Sequence, residues 1–236
     1  MMLGRRKRLP HLLSQMLDRT RARQLAAEYI AKGDPTGWFE RLYQEAEQGK
    51  SVVPWAELRP SPNLLEFWKD RPIPSTGKKA LTIGCGLGDD AEQLAEWGFS
   101  TTAFDVSESG VRAARRRFPD SRVQYVVADL LQPPDTWFQA FDLVFESNTL
   151  QVLPPELRPQ AMEQAAGFVA KGGKLLLIAR ARDGSDPRGE MPWPLTRREL
   201  NHFTEIGLRE LSFEDFLDSE DPPVRRFRAL YGNGVE

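Results

Sequence analysis

The first 75 residues space their apolar side chains for helices. Leu12, Leu13, Met16 and Leu17, then Leu25, Ala26, Tyr29 and Ile30, recur three or four positions apart and predict a helix over 12–31 that Gly33 stops. Asp34-Pro35 reads as a cap followed by proline in the first helical position, opening a helix in which Trp38, Leu42 and Ala46 share one face. Ser61-Pro62 repeats that signal before Leu64, Leu65 and Trp68, so this part of the chain is expected to form short helices.

After Pro74 the period changes. Short apolar or β-branched runs at 80–83, 101–104, 123–127, 141–145 and 174–178 read as strands. Helical stretches separate them: 89–97 ending at Gly98, a stretch capped by Ser107 with Val111, Ala114 and Phe118, and 155–170 ending at Gly172-Gly173. Strands alternating with helices predict an α/β fold with a parallel sheet covered on both faces. A capping box, Thr196 with Glu199, predicts one more helix that stops at Gly207. The runs 208–216 and 225–231 are too close together for a crossover helix, so they are expected to pair antiparallel.

Composition narrows the class. The 236 residues suit one large domain or a domain with an extension, and 40% hydrophobic with 28% charged residues is a globular balance. Apolar runs such as 175–179 fall far short of the ~20 residues a spanning helix needs. No basic-then-apolar signal opens the chain, and the expectation is a cytoplasmic protein without membrane contact. Cys85 is the single cysteine and His11 and His202 the two histidines, so neither a disulfide framework nor a multi-cysteine metal site is expected. The net charge of -2 hides an asymmetry: residues 1–24 hold seven basic side chains and one acid, and the remainder is acidic. Such a basic arm is either a solvated tail or a contact for an acidic partner such as nucleic acid.

The segment 81–90, Leu-Thr-Ile-Gly-Cys-Gly-Leu-Gly-Asp-Asp, is a glycine-rich turn between the first strand and the following helix. Gly84, Gly86 and Gly88 let backbone approach a ligand at the carboxyl end of a strand, where open α/β sheets bind small molecules. The dinucleotide fingerprint would place glycine at position 89, but Asp89 and Asp90 stand there and would repel a diphosphate at the helix start. They would attract an ammonium or sulfonium group. Cys85, inside the turn, is either a small buried side chain or a nucleophile.

In this motif the chain resembles the class I S-adenosylmethionine-dependent methyltransferases, and the resemblance continues at family spacing. It implies a Rossmann-like sheet, mostly parallel, of about seven strands with a C-terminal antiparallel hairpin. It also implies that Asp105, 21 residues after Gly84, accepts hydrogen bonds from the ribose hydroxyls. By the same resemblance, Asp129, ending the third strand, lies near the adenine amino group with backbone donors such as Leu130 beside it, and Glu146 ends the fourth strand beside the transferring methyl. Each acid taken singly is equally an ordinary strand-end carboxylate. Gly37 to Tyr43, Val53-Pro54-Trp55 and Ser61-Pro62-Asn63 look like the cap of thiopurine methyltransferase-like proteins, in which a tryptophan matching Trp38 packs on the cofactor. The tail from Pro192 to Arg228 resembles the same branch. One departure is Ser147, which replaces the arginine that follows strand four in thiopurine methyltransferases proper.

The expected organisation is a basic helical arm (1–33), a helical cap (34–75) and an S-adenosylmethionine-binding domain (76–236). The expected activity is methyl transfer to a small-molecule acceptor, a thiol, halide or other soft nucleophile, with Glu146 the best-placed base for a harder one. Two alternatives stand beside it: a methyltransferase for RNA or protein guided by the basic arm, and a non-catalytic S-adenosylmethionine-binding module. The stretch 182–194 is long enough to form a lid, with Trp193 as its apolar closure; core packing is the other reading of Trp38, Trp55 and Trp193.

Overall fold

The computed structural model describes the backbone of residues 8–234, and side chains from Arg19 onward. Arg5, Arg6 and Lys7 of the basic arm lie outside the described residues. Three helices lead the chain: α1 (Arg8–Ala31), α2 (Gly37–Glu47) and α3 (Pro62–Asp70). The first, at 24 residues, is longer than the short helices expected of this segment. The second begins two residues later than Asp34-Pro35 predicts, yet the Asp34 carboxylate still accepts from the Gly37 N–H at 2.8 Å.

A seven-stranded sheet follows, built from β1 (Lys79–Ile83), β2 (Ser100–Asp105), β3 (Gln124–Val127), β4 (Phe141–Ser147), β5 (Val169–Arg180), β6 (Arg209–Leu217) and β7 (Arg225–Gly232). Their spatial order is β3-β2-β1-β4-β5-β7-β6; the first five run parallel, and β7 is antiparallel to both β5 and β6. Between the strands lie α4 (Asp89–Glu96), α5 (Glu108–Arg117), α6 (Arg158–Gly167), α7 (Arg197–Leu200) and α8 (His202–Glu205). Helix α6 stops at Gly167, short of Gly172-Gly173, which instead sit inside β5 where its pairing with β4 shifts register. The Ser107 cap and the Thr196/Glu199 capping box both form as expected.

Alternation along the central strands sorts their side chains onto two buried faces. Leu81, Ile83, Val144, Leu175 and Leu177 pack with the apolar residues of α6, whereas Ala80, Leu143, Phe145, Leu176 and Ile178 pack under Leu64 and Phe67 of α3 and Leu94 of α4. Burial on both faces explains why these strands read as continuous apolar runs.

Arm and cap share a core, since Ala22, Leu25 and Ala26 of α1 bury against Trp38 and Leu42 of α2 and against Met191. Residues 19–23 are therefore part of the cap rather than a solvated tail: Arg21 binds Glu45 through two hydrogen bonds, and Arg23 donates to the Met191 carbonyl at 2.6 Å. Hydrogen bonds from Arg21, reinforced by Arg41, hold the Glu45 carboxyl down at about 2. A depressed carboxylate stabilises the fold above its unfolded pKa and loses that contribution as pH falls. Glu45→Gln is expected to cost about 1 kcal/mol at neutral pH, discounted for the partly solvated guanidiniums, and much less near pH ~2; urea unfolding at both pH values checks this. The cap docks on the sheet through Glu40 of α2, whose carboxylate accepts from Ser107 Oγ at 2.6 Å, Ser109 N at 3.0 Å and Ser109 Oγ at 2.7 Å at the start of α5.

Candidate active site

Strand order reverses between β1 and β4, and in open α/β sheets the crevice at the carboxyl ends of such strands is where ligands bind. A cavity of about 760 Å³ opens there, large enough for a cofactor with a small acceptor. Gly84, Cys85, Gly86, Asp105, Val106 and Leu130 line one half of it; Ser147, Asn148, Gln151, Arg180, Met191 and Arg226 line the other. Phe39, Tyr43 and Trp55 from the cap close over the first half, with the Trp55 indole N–H donating to Tyr43 Oη at 3.2 Å.

Asp105 is buried where β2 meets α5. It accepts from Gly86 N at 3.0 Å through one oxygen and from Ser107 N at 2.9 Å through the other. A carboxylate has about four acceptor positions, so part of its capacity remains for hydroxyl donors arriving from the cavity. Burial outweighs those N–H bonds and holds the carboxyl above its ordinary value. Gly84 at φ +60° lets the turn pack directly against Thr149, since a Cβ there would stand 2.3 Å from Thr149 Oγ1. This pair, an under-used acceptor beside a backbone cradle, fits the ribose and amino-acid portions of S-adenosylmethionine. Asp129 lies two residues beyond the end of β3, not at it; it accepts from Leu131 N at 2.8 Å and lines the cavity with Leu130.

Three of the residues expected in the cofactor site do not line the cavity. Trp38 is fully buried, donates to the Pro35 carbonyl at 3.1 Å and stacks on Phe39; its neighbours Phe39 and Trp55 face the cavity instead. Gly88 serves the turn, because at φ +93° it precedes α4 with no room for a side chain under Tyr125 Oη, 2.4 Å from where its Cβ would be. Glu146 falls on the same face of β4 as Val144, and there Oε1 accepts from Thr149 N at 2.7 Å and Leu150 N at 3.0 Å. Its other oxygen has no hydrogen-bond partner among the described residues, and burial pushes the carboxyl up to about 7. Glu146 thus braces the turn after β4 and is not placed as a base.

The acidic pair after the glycine turn is also less available than its sequence suggests. Asp89 is held by both ends of the Arg117 guanidinium at 2.7 and 2.8 Å, while Asp90 accepts from Ser61 N at 2.7 Å and burial raises it to about 6. Burial, then the nearby Asp105 charge, drives the Cys85 thiol well above its ordinary pKa, which suits a small packed side chain rather than a nucleophile. In the stretch 182–194, residues 183–190 are exposed, and Met191 and Pro192 rather than Trp193 reach the cavity. Residues missed by sequence reasoning (Arg19, Tyr43, Gln151, Arg180 and Arg226 among them) come from five separate elements or turns, and no local motif joins them.

Comparison with known proteins agrees with this geometry. Residues 80–173 match the family described as a methyltransferase domain. The chain is 24% identical over 211 residues to thiopurine S-methyltransferase of Aliivibrio fischeri, covering 84% of this chain and 98% of that protein. It is 23% identical over 154 residues to thiocyanate methyltransferase 1 of Arabidopsis thaliana; the match covers 64% of this chain and spans 65% of that protein's length. Among solved structures, the N-methyltransferase NodS of Bradyrhizobium japonicum with S-adenosyl-L-homocysteine superimposes with a TM-score of 0.63 at 24% identity, over 81% of this chain and 98% of NodS. At that identity the likeness speaks for the fold. No helix among the described residues is long and apolar enough to cross a membrane.

Proposed function

We infer that the chain is a class I S-adenosylmethionine-dependent methyltransferase of the thiopurine methyltransferase-like branch, and we propose that it methylates a small molecule at a soft nucleophilic atom such as a thiol sulfur. The observation that carries this reading is Asp105, a buried carboxylate with acceptor capacity to spare, facing a cavity floored by the Gly84 to Gly86 turn.

When bound, S-adenosylmethionine supplies a methyl on a sulfonium, so an acceptor lone pair forms the new bond as the old C–S pair leaves on a neutral thioether. What remains for the protein is binding, alignment and exclusion of water, and alignment alone contributes ~7–11 kcal/mol in favourable cases. Asp105 and the backbone around Gly84, Gly86 and Leu130 hold the nucleoside side. Phe39, Tyr43 and Trp55 cover it. At the end of β4 the lining offers Ser147 and, in the turn that follows, Asn148 rather than a carboxylate. That arrangement suits a nucleophile that ionises by itself, as a thiol of pKa about 8.5 does near neutral pH, better than an oxygen or amine that needs a base.

The reading of RNA or protein as acceptor draws on the basic arm, and Arg21 and Arg23 are already committed to ion pairs with Glu45 and Glu190. A titration of the purified protein with S-adenosyl-L-homocysteine by calorimetry tests the cofactor assignment. Saturable 1:1 binding at micromolar affinity is expected, and absence of heat at millimolar ligand would refute it.

A further inference from the structure

The acceptor half of the cavity contains a guanidinium that makes no hydrogen bond to a described residue and has one long ion-pair contact, to Glu220 at 3.8 Å. Arg180 ends β5, and its main-chain N–H donates to Gln151 Oε1 at 2.7 Å. Its side chain is 21% exposed and lines the cavity. Yet its guanidinium makes no hydrogen bond to any described residue, and one carboxylate oxygen among them, Glu220 Oε2 at 3.8 Å, comes within 4 Å. The acids nearby are spent on another arginine. Arg226 donates to Asp218 Oδ2 at 2.7 Å, to Asn148 Oδ1 at 2.9 Å and to Glu220. Asp221 lines the same end, and from α1 Arg19 faces it as well, adding positive charge against Arg180. Burial, with the charges of Arg226 and Arg19, draws the Arg180 pKa below its ordinary value, although a guanidinium stays protonated.

Planar N–H donors that line the cavity without a hydrogen-bond partner among the described residues, with one carboxylate no nearer than 3.8 Å and a second cation alongside, form a receptor for a planar oxyanion. Position limits which part of the acceptor that anion is. Ile178 pairs with Ser147 of β4, and Arg180 lies two residues further along the neighbouring strand, so its backbone is roughly 7 Å beyond and about 5 Å to the side of the β4 end. An anionic group set apart from the reacting atom fits that offset.

We propose that this end of the cavity is an oxyanion subsite: the methyl acceptor carries a carboxylate, which Arg180 binds through its open fork while Arg19 reinforces the field. The proposal rests on the methyl-transfer reading above and deepens it by naming a class of acceptor. It is tested on the full chain loaded with S-adenosyl-L-homocysteine, by calorimetry with 3-mercaptopropionate and its neutral amide, 3-mercaptopropanamide. The carboxylate is expected to bind at least ~10-fold more tightly. In Arg180→Gln that ratio should fall to near one, and in Arg19→Gln, a change on a separate element, to a value in between. Equal affinities in the unaltered protein, or a preference that survives Arg180→Gln, would overturn the subsite. Should Arg180→Gln fail to fold, the ratio in the unaltered protein and its change in Arg19→Gln decide. Methylated product, measured with S-adenosylmethionine and the same two thiols, reports on the parent reading separately. Product from both thiols at equal affinity defeats the subsite alone, and a clear affinity ratio without product defeats the thiol reading alone.

Discussion

Replacing Asp105 with alanine is expected to weaken S-adenosyl-L-homocysteine binding about 100-fold. Two ribose hydroxyls lose a charged acceptor, each bond contributing ~1.5 kcal/mol, and ~3 kcal/mol in total corresponds to that factor. The same change releases Gly86 N and Ser107 N, which Asp105 now holds in place at 3.0 and 2.9 Å, so the glycine turn loosens as the ligand's partner disappears. Asp105→Asn keeps the shape and one acceptor oxygen, and a loss of about 10-fold is expected from it. Calorimetric titration of the three proteins checks the order, with thermal unfolding to confirm that each is folded. Equal affinities across the series would remove Asp105 from the binding site.

Glu146→Gln should make the protein more stable at alkaline pH. In the native state the buried carboxyl titrates at about 7, against about 4.3 in an unfolded chain. Between those values the folded state retains a proton that the unfolded state has released, so stability falls as pH rises through that window, by up to ~4 kcal/mol above pH 7. Glutamine removes the titration while keeping an oxygen for Thr149 N and Leu150 N and a donor where the carboxyl carried its proton. The variant is expected to match the parent near pH 5 and to exceed it by about 2 kcal/mol near pH 8, as read by urea unfolding. Parallel pH profiles would contradict this. Because Glu146 does not line the cavity, methyl transfer should stay within about threefold of the parent; removal of a general base would cost at least ~100-fold.

Much of the sheet is legible in the sequence because its strands are buried on both faces: runs such as 80–83 and 174–178 have few other ways to be satisfied. The cofactor half of the cavity is legible for a related reason. A strand end, a glycine turn and the first turn of a helix are contiguous, so Gly84 and Gly86 stand out as one motif, whereas Asp105, at the end of the next strand, is reached through the resemblance to the methyltransferases.

Glu146 shows where that logic fails. Position at a strand end places a residue at the right edge, but the two-residue alternation decides its face, and a one-residue difference separates Ser147 in the cavity from Glu146 in the core. Trp38 fails likewise, with Phe39 next to it facing the cavity. Arg158 could not be foreseen at all. It is fully buried, donating to the Leu153 and Trp193 carbonyls and to Glu199, and so ties α6 to the stretch that roofs the acceptor half. The acceptor half itself, with Arg19, Gln151, Arg180 and Arg226, exists only once α1, the turn after β4, β5 and β7 have met.

Methyl transfer to sulfur is read out by incubating the purified protein with S-adenosylmethionine and a small thiol, followed by mass spectrometry of the products. A methyl thioether and S-adenosyl-L-homocysteine are expected in equal amounts, at a rate that Asp105→Ala lowers. Tight binding of the cofactor with no methylated product across thiols of varied charge and size would contradict it.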